Sequence, residues 1–229
     1  MARHIGIVAC SAEGAALCYR TICREAAERM GEHNHPEISM HAPPFAEYVG
    51  PIRAGDWRAV GRLMLSSARK VAQIGAEFAI SPDNTIHQAM EFVLPHSPIP
   101  WLHIAEVVAR EAQRNSYRKL GIAGTKYLMT GPVYPDSLKA FGIEHAIPDA
   151  PQRERINEII FGQLVCGSFT EASRLYFNEV FAGLKRRGCD AAVLGCTEIP
   201  LLVDPANCPL PTLDSTRLLA RAALNHALK

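Results

Sequence analysis

Short runs of apolar, β-branched residues alternate along the chain with longer stretches whose apolar positions recur at helical spacing. Strands are predicted at Ile5–Ala9, Glu37–His41, Phe78–Ser81, Trp101–His103, Lys119–Ala123, Ala191–Gly195 and Pro211–Leu213. Helices are predicted near 13–31, 55–73, 104–115, 151–164, 170–187 and 215–228. In the second of these, Val60, Leu63, Met64, Ala68 and Val71 share one face, and Arg62 and Arg69 lie off it. Strands that are short, apolar throughout and separated by helices predict an α/β fold built on mostly parallel sheets. The nearest thing to a linker is the segment from Pro95 to Pro100.

A weak internal repeat divides the pattern in two. The stretch from Gly75 to Thr85 resembles the stretch from Gly188 to Glu198, a shift of 113 positions (188 − 75) that also carries Asp83 onto Cys196. Gly6-Ile-Val-Ala9 and Gly121-Ile-Ala-Gly124 repeat at a shift of 115 (121 − 6). Two half-domains of similar build are therefore expected. The repeat would set Asp83 and Cys196 at equivalent strand ends on opposite walls of one cleft. Ligands of open α/β sheets bind beyond the carboxyl ends of strands, and a helix beginning there offers N–H groups and a positive dipole end.

Composition narrows the chemistry. The chain has 229 residues, with 24 Lys and Arg against 23 Asp and Glu, a balance that argues against a nucleic-acid partner. It has no apolar run of membrane-spanning length and no visible signal peptide. Seven cysteines without a CxxC pair argue against a disulfide framework or a zinc ribbon, and a reducing, cytoplasmic setting is expected. HExxH, GxGxxG and GxSxG are all absent from the sequence, so no metal and no dinucleotide is expected.

Cys196 is the leading candidate for catalysis. Gly195 before it permits close backbone approach, and a cysteine at a helix N-terminus has its thiolate stabilised. Asp83 and Asn84 read either as a turn or helix cap or, by the symmetry, as cleft residues. Thr85 and Thr197 would then hydrogen-bond a ligand carboxylate. Ser11 and Thr125, in the turns after the first strand of each half, are natural anion-binding hydroxyls. Glu198 and His87 stand close enough in sequence to tune the pair; His41 and Cys10 end strands and are lesser candidates. Arg53, Lys126 and Arg174 are available to a distal carboxylate.

The segments Ser-Pro-Asp-Asn-Thr-Ile-His (81–87), Gly-Cys-Thr-Glu-Ile (195–199), Pro-Thr-Leu-Asp-Ser-Thr (211–216), Gly-Thr (124–125) and Gly-Ser-Phe-Thr-Glu-Ala-Ser-Arg (167–174) resemble the aspartate/glutamate racemase family, within the Asp/Glu/hydantoin racemase superfamily. The resemblance runs over nearly the whole chain. It implies two pseudo-symmetric three-layer α/β half-domains with mostly parallel sheets, 1–97 with 208–229 and 98–207, the last strand and helix returning to the first. It also implies a cofactor-independent isomerase acting on a small amino acid or dicarboxylate, commonly a homodimer. One cysteine per half would serve each face of the substrate Cα. The chain departs from the pattern where Asp83 stands in place of the first cysteine, and where Ala9-Cys10-Ser11-Ala12 replaces a Gly-Gly-Met-like stretch. A Cys196/Asp83 pair would be asymmetric. The same residues leave open a decarboxylase or isomerase of a small dicarboxylic acid with Cys196 as its single thiol, or an inactive small-acid binder.

Overall fold

A computed structural model describes residues 2–229. In chain order the first part holds β1 (Ile5–Val8), α1 (Ala12–Met30), β2 (Ile38–His41), α2 (Phe45–Ala54), α3 (Trp57–Gln73), β3 (Phe78–Ile80), α4 (Met90–Val93), β4 (Trp101–Leu102) and α5 (Ile104–Arg114). There follow β5 (Lys119–Ala123), α6 (Lys126–Thr130), α7 (Val133–Lys139), β6 (Glu144–Ala146), α8 (Ala150–Gly162), α9 (Glu171–Arg186), β7 (Ala191–Leu194), α10 (Ile199–Leu202), β8 (Thr212–Asp214) and α11 (Ser215–Ala227).

These elements form two four-stranded, all-parallel sheets, ordered β2-β1-β3-β4 and β6-β5-β7-β8. The second order is the first with four added to each strand number. The repeat read from the sequence is thus an architectural one. The chain divides into two compact units, Met1–Val107 with Thr216–Lys229, and Val108–Ser215. Both crossings come later than the sequence suggested. Trp101–Leu102 pairs with β3 in the first sheet, and Thr212–Asp214 pairs with β7 in the second, so only a helix returns to the first unit. The reason is hydrogen bonding: each short strand completes the edge of the sheet beside it, and the chain crosses within or at the start of a helix, which needs no sheet partner.

In the first unit β1 and β3 are buried along their whole length. Ile5, Ile7, Phe78 and Ile80 pack with Cys18 and Ile22 of α1 and with Leu219, Ala220 and Ala223 of α11. Burial of side chains this size contributes about 1.5–3 kcal/mol each. On the other face α3 is capped by Asp56, whose side chain accepts from Ala59 N–H at 2.8 Å, and turns Val60, Met64, Ala68 and Val71 inward. The backbone N–H of Arg3 donates to the carbonyl of Ala227 at 2.8 Å, tying the start of the chain to its last helix. In the second unit Ile156, Ile160, Phe177, Val180, Phe181 and Leu184 of α8 and α9 cover β5 and β7. α8 opens with a capping box in which Asp149 and Gln152 each accept the other's backbone N–H.

The paired glycines show why the repeat persists. A Cβ on Gly6 would meet Val71 at 2.8 Å, and a Cβ on Gly121 would meet Leu184 at 2.8 Å. Val71 and Leu184 are themselves 113 apart (184 − 71) and sit on α3 and α9. In both units the central strand has a glycine where the covering helix presses closest. Gly75 and Gly188 end these helices with φ of +103° and +81°, a region that favours glycine.

Six elements lie outside the predicted pattern: β6 and the helices α2, α4, α6, α7 and α10. β6 is short and polar, with Glu144 and His145 exposed at a sheet edge. α2 contains Pro51 and follows two further prolines, a residue type that disfavours a helix interior. It forms because Pro44 stands just before its first turn and because Tyr48 and Ile52, one turn apart, are both buried. None of the seven cysteines is in a disulfide. Among the described residues no helix is long and apolar enough to cross a membrane.

Gly6→Ala and Gly121→Ala should each cost about 1–3 kcal/mol through overpacking. Urea denaturation should show a lowered midpoint with an unchanged slope. Val71→Ala should relieve Gly6→Ala, so the pair would be less than additive.

Candidate active site

In the first unit the turn after β3 carries four of the predicted residues. Ser81 is fully buried, and its hydroxyl donates to the carbonyl of Val8 at 2.9 Å, holding the turn against the end of β1. Asp83 follows, partly exposed, with its Oδ1 accepting from Ile86 N–H at 3.1 Å. Asn84 and Thr85 are buried, at 2% and 6% exposure, at the head of a 3-10 turn over Thr85–Ala89. β1 and β3 are paired neighbours, so Cys10 and Ser11 come off the sheet beside this turn. Ser11 caps α1 by accepting from Gly14 N–H at 3.3 Å.

His87 has both ring nitrogens committed to backbone. Its Nδ1 lies 2.7 Å from the carbonyl of Asp83, and its Nε2 accepts from Ile104 N–H at 3.3 Å. A carbonyl only accepts and an amide only donates, so the proton is on Nδ1 and the ring is neutral. Burial pushes the imidazole well below its ordinary range, the His103 ring beside it acts the same way, and the bond to Asp83 opposes both. The two rings meet edge to face with centroids 4.6 Å apart. His103 is also lowered by burial, and its Nδ1 has no hydrogen-bond partner among the described residues. His87 therefore clamps the Asp83 turn to the start of α5. It is not placed to exchange protons with a substrate.

In the second unit the backbone N–H of Gly195 donates to the carbonyl of Ala123 at 2.7 Å, extending the β5–β7 ladder one residue beyond the sheet. A Cβ on Gly195 would come within 2.6 Å of Leu128 and 2.9 Å of that same carbonyl. One on Gly124 would stand 3.0 Å from the Gly195 carbonyl. The two strand ends pass at backbone distance, and Thr125 and Cys196 emerge side by side from them. Thr125 caps α6 by accepting from Leu128 N–H at 3.2 Å.

Cys196 Sγ donates to Glu198 Oε2 at 2.9 Å, and Thr197 Oγ1 donates to the same oxygen at 2.8 Å. Glu198 is 3% exposed, so this is a carboxylate held away from water by two donors. One expectation changes here. The segment after Cys196 is no long helix: α10 has four residues, one of them a proline, and the Asp83 turn leads only into 3-10 structure and the four-residue α4. A macrodipole needs a run of aligned peptides, so the group acting on the thiol is Glu198 rather than a helix end. Thr197 donates its proton to Glu198 and so orients that carboxylate.

The predicted residues thus gather at adjacent strand ends within each unit. Of the basic groups, Lys126 pairs with Glu154 at 3.4 Å, Arg174 is forked onto Glu171, and Arg53 is exposed in the last turn of α2. None joins these turns through a hydrogen bond shown here. Among the described residues no group of three His, Cys, Asp or Glu is arranged to hold a metal ion. Cys189 and Cys208 lie in or against the apolar core of their unit, and burial raises both thiols. Two buried tyrosines escaped the sequence reading. Tyr134, on α7, hydrogen-bonds toward Ser215, whose hydroxyl donates to the carbonyl of Leu194 at 2.9 Å; burial raises the phenol strongly. Tyr48, on α2, is raised strongly by burial, with Cys10 and Asp83 adding to it. The available signal for Tyr48 was its spacing from Ile52, masked by the prolines around it.

Comparison with known proteins gives concordant results. Residues 5–223 match the family model described as Asp/Glu/Hydantoin racemase. The broad specificity amino-acid racemase RacX of Bacillus subtilis (strain 168) is 21% identical over 203 residues, covering 89% of this chain and 87% of RacX. A Yersinia pestis structure assigned to the Asp/Glu racemases superposes with a TM-score of 0.91 at 30% identity, covering 99% of this chain and 100% of that one. An aspartate racemase homologue from Pyrococcus horikoshii OT3 gives a TM-score of 0.85 at 24% identity, with both chains covered in full.

The buried histidines predict acid sensitivity. In the unfolded chain an imidazole takes up a proton near pH 6.5, whereas His87 and His103 resist it when folded. Unfolding then binds more protons, so stability should be full above about pH 6.5 and fall as pH drops below it, by up to about 1.4 kcal/mol per pH unit for each such group. Denaturant titrations from pH 7.5 to 5 would measure this. His87→Asn should lower stability at pH 7.5 and flatten the acid slope.

Proposed function

The chain belongs to the Asp/Glu/hydantoin racemase family, and from that premise we propose that it is a cofactor-independent amino-acid racemase of the aspartate/glutamate type. The observation that carries the proposal is the Cys196–Glu198 hydrogen bond at a strand end, matched at the same topological position of the other sheet by Asp83. Cys196 and Asp83 are assigned to the two faces of one substrate α-carbon.

The chemistry follows from the donor pattern. Glu198 takes the thiol proton, and Thr197 keeps the receiving oxygen in place. The thiolate then removes the α-proton, and the electron pair of the C–H bond passes into an enediolate on the substrate carboxylate. Asp83, protonated, returns a proton to the opposite face. Without an electron sink the enediolate must be stabilised by preorganised donors, a contribution that is generally large. Ser11, Thr125, Asn84 and Thr85 are assigned to it. Ser11 and Thr125 are fixed at strand ends by their capping bonds. His87 keeps the Asp83 turn in register through backbone alone. A homodimeric assembly is part of the same proposal.

One observation favours a second reading. Asp83 Oδ1 already accepts from Ile86 N–H, which suits a carboxylate that stays ionised. A chain with Cys196 as its one competent acid would release or shift a group on a single face, as a decarboxylase or isomerase of a small dicarboxylic acid does.

Deuterium exchange at Cα separates the readings. With both enantiomers of aspartate and glutamate in heavy water, the wild type should exchange and interconvert them. Cys196→Ala should lower the rate at least about 10³-fold, and Glu198→Gln about 10²-fold with little change in KM. Full activity in Cys196→Ala would overturn the mechanism. Carbon dioxide release from a substituted malonate, without exchange into any amino acid, would favour the one-face reaction.

A further inference from the structure

A recess of about 370 Å³ opens on the first unit, between α3 and the segment from Glu91 to His96. Arg58, Arg62 and Leu65 line it from α3, at positions i, i+4 and i+7 of one helix face. Glu91 and Phe92 of α4, with His96 at the end of the following 3-10 turn, line the other side. The two walls are in direct contact beside the recess. Gly61 lies between the two arginines, and a Cβ there would come within 2.9 Å of the Phe92 Cβ. Walls packed this closely make a preformed site, as ligand pockets usually are.

The recess has charges of both signs that do not meet. The Arg58 guanidinium stands 5.0 Å from the centre of the Phe92 ring, a cation–π contact that keeps it over the apolar wall. The side chains of Arg58, Arg62 and Glu91 form no hydrogen bond or ion pair among the described residues. Two guanidiniums and one carboxylate thus border one space without neutralising each other. Arginine forks suit a planar carboxylate, and a carboxylate suits an ammonium. Leu65, 8% exposed, and the half-buried Phe92 add an apolar surface. A molecule with all three complements is an α-amino acid with an apolar side chain. A doubly charged phosphate would satisfy the arginines but set Glu91 against a like charge.

We propose that this recess is a binding site for a free amino acid with an apolar side chain, built from α3 and α4 rather than from the strand-end turns that carry Asp83 and Cys196. Arg58 and Arg62 hold the carboxylate, Glu91 takes the ammonium, and the side chain lies on Leu65 and Phe92. The volume is at the small end for ligand pockets, which suits a molecule of this size. Binding here needs no turnover, so the proposal is independent of the racemase reading.

The test follows the His96 imidazole of the intact chain by proton NMR at fixed pH, with His96→Gln identifying its signal. L-Phenylalanine should shift this signal saturably. 3-Phenylpropionate, which lacks the ammonium, and phenylethylamine, which lacks the carboxylate, should each bind at least about tenfold more weakly, the worth of one charge-assisted contact. Arg62→Gln should weaken phenylalanine by the same factor; the side chain is exposed, so the fold should tolerate the change. Glu91→Gln should weaken phenylalanine but not 3-phenylpropionate, a pattern that a general disturbance of the recess would not give. Equal affinity for phenylalanine and 3-phenylpropionate overturns the proposal, as does an undiminished shift in Arg62→Gln. So does the lack of any saturable His96 shift up to about 10 mM phenylalanine. A wild type that exchanges no amino acid at Cα would sink the racemase reading alone, and this titration would still decide the recess.

Discussion

The hydrogen bond from Gly195 N–H to the carbonyl of Ala123 is the constraint on which the second unit's chemistry depends. It continues a parallel ladder one residue past the strand, where most sheets let go. It can do so only because neither Gly124 nor Gly195 has a side chain. Everything downstream inherits that position. Cys196 leaves the sheet at a defined point, Glu198 comes back to it two residues later, and Thr197 between them locks the carboxylate. A reactive group held by backbone geometry needs no long helix behind it, and α10 is correspondingly short.

The first unit reaches an equivalent place by other means. Ser81, rather than a glycine, ties β3 to β1, using its hydroxyl on the carbonyl of Val8. His87 then fixes the far end of the turn through two backbone contacts. The two units thus share strand order and covering helices but differ in how each strand end is secured. The electrostatics differ in the same sense. One turn pairs a thiol with a carboxylate of its own segment. The other has its carboxylate on a backbone N–H, that of Ile86.

How much of this was legible depended on length and period. The central strands and the long helices announced themselves, since burial on both faces leaves an unbroken apolar run and α3 keeps a clean stripe. β6 was invisible because a three-residue polar edge strand has no pattern to show. α2 was hidden by Pro51, and with it Tyr48, because local backbone preference argued against a helix that tertiary burial of Tyr48 and Ile52 sustains. At the site the residue types could be read but their hydrogen-bond directions could not. Thr197 and His87 were each recognised as polar residues beside the chemistry. Only coordinates reveal that one spends its proton on Glu198 and the other spends both nitrogens on backbone.

The hydrogen bond from Arg3 to Ala227 has a consequence for connectivity. Two segments so far apart in sequence and already joined by main-chain bonding can be linked by a short loop with little rearrangement. New ends could then be opened in a surface segment such as the one around Gly167, which has an exposed, positive-φ backbone. The resulting permuted polypeptide would have the same sheets yet emerge from the ribosome in a different order. Its refolding would show whether either half-domain must form before the other.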